Sequence, residues 1–88
     1  MKKAIITVVG KDTVGIMAQV CVYLAEKNVN ILDISQTIVD GYFNMMMVTD
    51  VTNAEFDKVA TGLKTVGEEI GVIIRCQRED IFDKMHRI

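Results

Sequence analysis

The 88-residue chain has no proline and no tryptophan, a single histidine, and only two cysteines, two tyrosines and three phenylalanines. Each scarcity removes a class of function. Cys21 and Cys76 are far apart, form no C-x-x-C pair and have only His86 as an imidazole companion, so the ligand set of a zinc site is missing. They read as two reduced thiols buried as small hydrophobes. Ten basic against twelve acidic residues leave a net charge of −2, with no basic footprint for nucleic acid or anionic lipid. No apolar run approaches the roughly 18 residues of a membrane helix. The start, MKKAIITVVGKD, imitates a secretion signal, but its apolar stretch runs into Lys11-Asp12 without a small-residue cleavage site. It reads as a first strand of a soluble, cytoplasmic protein.

What is present is a folded composition, 50% hydrophobic and 25% charged. There is room for one domain, which at this size buries roughly 60 to 65% of the surface of its unfolded chain and so has a thin core. Ala4, Ile6 and Val8 alternate with Ile5, Thr7 and Val9, the period of a strand. From Val14 to Lys27, the positions Ile16, Met17, Val20, Cys21 and Leu24 recur at helical spacing. Ala18, Val22 and Ala25 fall on the side of this helix that should be wet, which suggests a second surface for it to meet.

NILDISQTIV and YFNMMMVTDV flank Asp40-Gly41, a pair suited to a type I′ hairpin turn because both residues need positive φ. The turn sets a register: Val39 faces Tyr42, Ile38 faces Phe43, Gln36 faces Met45, Ile34 faces Met47 and Leu32 faces Thr49. Met45-Met46-Met47 then reads as alternating strand positions, not as a thioether metal cluster. The register turns Gln36 towards the helices, where its amide should be hydrogen-bonded or moved out by a bulge. Thr52-x-x-Glu55 resembles a capping box opening a second helix, whose stripe is Phe56, Val59, Ala60, Leu63, Val66 and Ile70. A last strand runs from Val72 to Gln77. A short tail helix, Glu79 to Arg87, presents Ile81, Phe82 and Met85 and is expected to dock on the same domain.

The order strand, helix, strand, strand, helix, strand predicts an α+β, ferredoxin-like βαββαβ sandwich: a four-stranded antiparallel sheet, two helices on one face and a short C-terminal helix. Right-handed crossovers put the first strand beside the third, with the second and fourth at the edges. Such a scaffold does not fix function. Gly10 and Gly15 satisfy G-x-x-x-x-G, but Ile16-Met17 stands where a phosphate loop needs Lys-Ser/Thr. The sheet lacks the aromatic platform of an RNA binder. Asp12 or Thr13 is placed to N-cap the first helix, and Gly15 leaves its first turn bare for a carboxylate. Gly10 and Gly15 serving only turn geometry and close helix packing is the other reading of the same residues. No nucleophile, base and orienting group can be assembled, so no enzyme activity and no cofactor are expected.

The stretch TVVGKDTVGIMAQVCVYLAEKNVNILDISQT resembles the ACT domain signature: an apolar strand, a D-x-x-G-I loop, a helix ending in LAEKN, then VNI opening the second strand. The likeness covers Lys2 to about Arg78, so residues 1–78 are expected to form the ACT domain and 79–88 the tail. It is strongest towards the small stand-alone ACT proteins of the UPF0237 family. The resemblance implies a regulatory module that binds a small ligand, usually an amino acid, at a homodimer interface where the loop of one unit faces the second strand of the other. By position it points to Gly10, Lys11, Asp12, Thr13, Val14, Gly15 and Ile16, and to Asn30, Ile31 and Asp33. Gly10 stands where serine-sensing members carry a histidine, so serine is not singled out. Gly15→Val is expected to abolish binding at little cost to the helix, since valine's intrinsic propensity is no worse than glycine's. The alternative is a protein-interaction module that regulates a partner without a small ligand.

Overall fold

A computed structural model of the chain describes residues 1–11 and 13–79. The elements are β1 (Lys3–Lys11), α1 (Ile16–Glu26), β2 (Asn30–Val39), β3 (Tyr42–Asp50), α2 (Phe56–Ile70) and β4 (Val72–Arg78). The sheet order is β2-β3-β1-β4, with every neighbouring pair antiparallel, so β1 is central and β2 and β4 are the edges, as the crossover rule requires. The expected tail helix lies outside the described residues beyond Glu79. No helix among the described residues is long and apolar enough to cross a membrane.

The core forms between the helices and one face of the sheet. Ala4, Ile6 and Val8 of β1 and Met45 and Met47 of β3 meet Val20 and Leu24 of α1 and Val59 and Leu63 of α2. Met46, between two buried methionines, is exposed on the opposite face, so the methionine run is an ordinary alternation. Thr49 is the one polar residue fully enclosed among the described residues, and its hydroxyl donates to the Ala4 carbonyl at 2.8 Å. That bond removes the cost of burying a bare hydroxyl.

Asp40 and Gly41 have φ of 52° and 80°, the positive pair a type I′ turn demands, and β2 pairs with β3 in the expected register from Val39↔Tyr42 to Asp33↔Val48. The register breaks one step later. Ile31, not Leu32, opposes Thr49, because Leu32 is the extra residue of a bulge between Ile31 and Asp33. Gln36 does face the helix side opposite Met45, yet it is exposed. The helices leave β2 unroofed, so no buried amide has to be satisfied there.

The capping box does not form. Thr52 is engaged elsewhere: its N–H and hydroxyl both donate to Asp50 Oδ1, and its hydroxyl accepts from the Lys2 N–H at 2.9 Å. The helix starts later, with Glu55 as an extended N-cap that makes no side-chain cap and pairs with Lys58 at 3.1 Å.

Gly10 is a strand residue paired with Phe43 and Val72, not part of the loop. A Cβ there would lie 2.7 Å from Val72 Cγ1 and 3.1 Å from Val72 Cα, so its absence lets β1 and β4 meet closely. Gly10→Ala should therefore lower stability by about 1 to 3 kcal/mol in urea unfolding. Combined with Val72→Ala it should cost less than the sum of the two single changes, the signature of a shared contact.

The Asp50 carboxyl is held below its ordinary value, first by the Thr52 hydroxyl and then by the Thr52 N–H. A depressed folded value means that the stabilisation is complete above the ordinary carboxylate pKa and is lost as pH falls through the depressed one. NMR titration should find Asp50 protonating below the ordinary aspartate value, and Thr52→Val should move it back up towards that value.

Candidate functional site

The β1–α1 connection is built around backbone conformation. Gly15 is the N-cap of α1 with φ 89° and ψ 1°, in the left-handed region. Thr13 does not cap the helix, since its hydroxyl donates to the Lys11 carbonyl at 3.2 Å, and the expected cap at Asp12 lies outside the described residues. The Thr13 carbonyl accepts from the Ile16 N–H at 3.5 Å, and the Gly15 carbonyl accepts from Gln19 N–H at 3.0 Å, which locks the first turn. Among the described residues the helix has no side-chain cap and no acidic residue in that turn. Of that turn, the Met17 and Ala18 N–H groups make no hydrogen bond among the described residues and, with the positive end of the dipole, face solvent or a ligand. Val14 at the turn is 99% exposed, while Ile16 is buried in the core.

The positions expected on β2 lie elsewhere. Asn30 opens β2 opposite Asp50 and is exposed; Ile31 is half-buried against the core. Asp33 follows the bulge, exposed, with its Oδ1 accepting from the Ile34 N–H at 2.9 Å. Lys11 pairs with Tyr42 at one end of β3 and Asn30 with Asp50 at the other. Eight residue steps of about 3.4 Å separate these ends, roughly 27 Å. Within one chain the structure therefore brings Lys11, Thr13, Val14, Gly15 and Ile16 together, with Gly10 just behind in the strand, and sets Asn30, Ile31 and Asp33 apart from them.

The loop does face a groove of its own chain. A cavity of about 680 Å³ runs from Thr13–Ala18 to Cys21 and is bounded on the sheet side by Gln36 and Phe43. Gln36, Phe43, Met17 and Cys21 were absent from the sequence-derived site. The usable signal was Gln36 itself, the one polar residue in the row Ile34, Gln36, Ile38. The other thiol, Cys76, is pushed up to about 11 by burial and stays protonated at neutral pH, unsuited to act as a nucleophile. No cluster of three or more His, Cys, Asp or Glu side chains able to hold a metal occurs among the described residues.

Residues 2–77 match the ACT domain family. The chain belongs to the ACT domain family. Its sequence is 66% identical to a UPF0237 protein of Bifidobacterium longum, over 100% of both chains. The solved ACT domain protein from Streptococcus pneumoniae is similar at 43% identity and a TM-score of 0.82, covering 93% of this chain and 94% of that one. The regulatory subunit of aspartate kinase from Thermus thermophilus is similar at 25% identity and a TM-score of 0.67, covering 86% of this chain and 50% of that one. ACT domains are generally regulatory, small-ligand-binding domains, not catalytic ones.

The conformation of Gly15 overturns the expectation that valine is harmless there. Helix propensity is not what decides at φ 89°; the Cβ clash of an L-residue in the left-handed region is. Gly15→Val should lose about 1 to 2 kcal/mol of stability, and Gly15→Asn distinctly less, since asparagine tolerates this region. Denaturant midpoints of the two variants check this.

Proposed function

We propose that this ACT domain is an amino-acid sensor that binds its ligand between two copies of the chain. The observation that carries the reading is the start of α1, which no described side chain caps and which opens onto the loop groove, in a chain whose family is one of regulatory ligand-binding domains. A carboxylate is the natural occupant of free helix N–H groups.

The second copy follows from the separation of the two half-sites. β2 is an exposed edge bearing Leu32, Ile34, Ile38 and Val39, a long apolar strand with an unpaired ladder. If two β2 edges pair antiparallel about a two-fold axis, each strand is inverted relative to its mate. Asn30 and Asp33 of one copy then approach the end of the sheet at which the other copy carries Lys11 to Gly15. The exposed Val22 of α1 lies on the helix side of the same molecule and adds to the surface available for association. A ligand at the join would stabilise the paired state, and that differential affinity is what makes a binding domain a regulator.

Calorimetry with the standard amino acids tests the reading. At least one should bind, and Asn30→Ala should weaken it by about 1 to 2 kcal/mol, roughly 5- to 30-fold, through loss of an amide hydrogen bond. Sedimentation at tens of micromolar protein should find a dimer. No binding of any amino acid at millimolar concentration would favour regulation through a protein partner instead.

A further inference from the structure

The amino-acid-binding reading leaves open which amino acids fit, and the loop groove narrows the choice. Its described lining has no charged side chain: Ile16, Met17, Ala18, Cys21 and Phe43 supply carbon and sulfur, and Thr13 and Gln36 supply the polar side-chain atoms. The Thr13 hydroxyl is already given to the Lys11 carbonyl. The Gln36 amide makes no hydrogen bond among the described residues and projects from the unroofed side of β2. At about 680 Å³ the groove is within the usual range for a small-molecule site.

We infer that the ligand is a neutral amino acid with an apolar side chain, and that Gln36 is a binding residue whose amide oxygen accepts a hydrogen bond from the ligand's ammonium group. This inference rests on the amino-acid-binding reading. The chemistry comes from two features. A charged ligand side chain placed against Met17, Cys21 and Phe43 would surrender hydration to a described lining that offers it no counter-charge, whereas an aliphatic or thioether chain gains by leaving water. A zwitterion presents donors and acceptors side by side, and a primary amide presents the complementary pair, a carbonyl oxygen and an NH₂ group, without adding net charge. Met17, unbranched and polarizable, adapts to side chains of differing shape, so the groove selects a class and not one member.

The test is calorimetry on the full chain with leucine, methionine and phenylalanine as apolar probes and serine, aspartate and lysine as polar ones. Gln36→Leu and Gln36→Glu are compared with the wild type. Gln36 is exposed and outside the core, so both variants keep the fold, which a thermal melt without ligand verifies. The apolar probes should bind at least about 10-fold more tightly than the polar ones. Gln36→Leu should lose about 10-fold of that affinity, in line with the loss of one hydrogen bond to a charged group, while Gln36→Glu, which keeps an acceptor, should retain it. Polar probes binding as well as apolar ones would overturn the assigned class while leaving the amino-acid-binding reading intact. Wild-type affinity in Gln36→Leu, or loss in both variants alike, would overturn the role of Gln36. Failure of every probe would overturn this inference together with the reading beneath it.

Discussion

Tyr23 occupies the space into which any side chain at position 62 would project, and the spacing of the two helices follows from that contact. The ring lies against Gly62 and its hydroxyl donates to the Lys58 carbonyl at 3.3 Å, joining α1 to the backbone of α2. Burial raises the Tyr23 hydroxyl above its ordinary pKa, which keeps it a donor. Gly67 plays a parallel part beneath, where a Cβ would lie 2.7 Å from the Val72 carbonyl, so α2 sits low on β4. With α1 held to α2, and α2 to β4, neither helix roofs the far edge of the sheet. The uncovered row of β2 and the groove beside the loop are thus consequences of packing on the opposite side of the molecule.

Much of this architecture was legible because local and long-range signals agreed. The Asp40-Gly41 turn, the alternation of Met45 to Met47 and the helical stripe of α2 each depend on short-range periodicity, and each is where the pattern put it. The misreadings share a cause: a residue was read through a local motif while its partner in the structure lay outside that motif. Thr52 had the chemistry of a helix cap, but Asp50 and the Lys2 backbone were closer in space. Gly10 looked like a loop residue until β4, more than sixty positions away, gave it a steric reason to lack a side chain.

The candidate site was less legible than the fold, for a related reason. Motif residues around Gly15 can be read along the chain, but Gln36 and Phe43 reach the groove only through the β2–β3 pairing. Asn30 and Asp33 point the other way: their likeness to family positions is plain, yet a single chain sets them at the far end of the sheet. The resemblance assigned the loop and the second strand to different copies of the chain, and within one chain the two groups of residues do lie apart.

The bulge at Leu32 also limits how far the β2 edge runs straight. A long, flat, apolar edge is a template for cross-β stacking, in which strand adds to strand without limit. Here the ladder direction is interrupted between Ile31 and Asp33, so the straight portion of β2 ends after seven residues, Asp33 to Val39. The edge is long enough to accept one strand of matching length and too kinked to act as a featureless rail. Where Leu32, Ile34, Ile38 and Val39 are exposed together, the interruption of the edge lies in the backbone and not in the side chains.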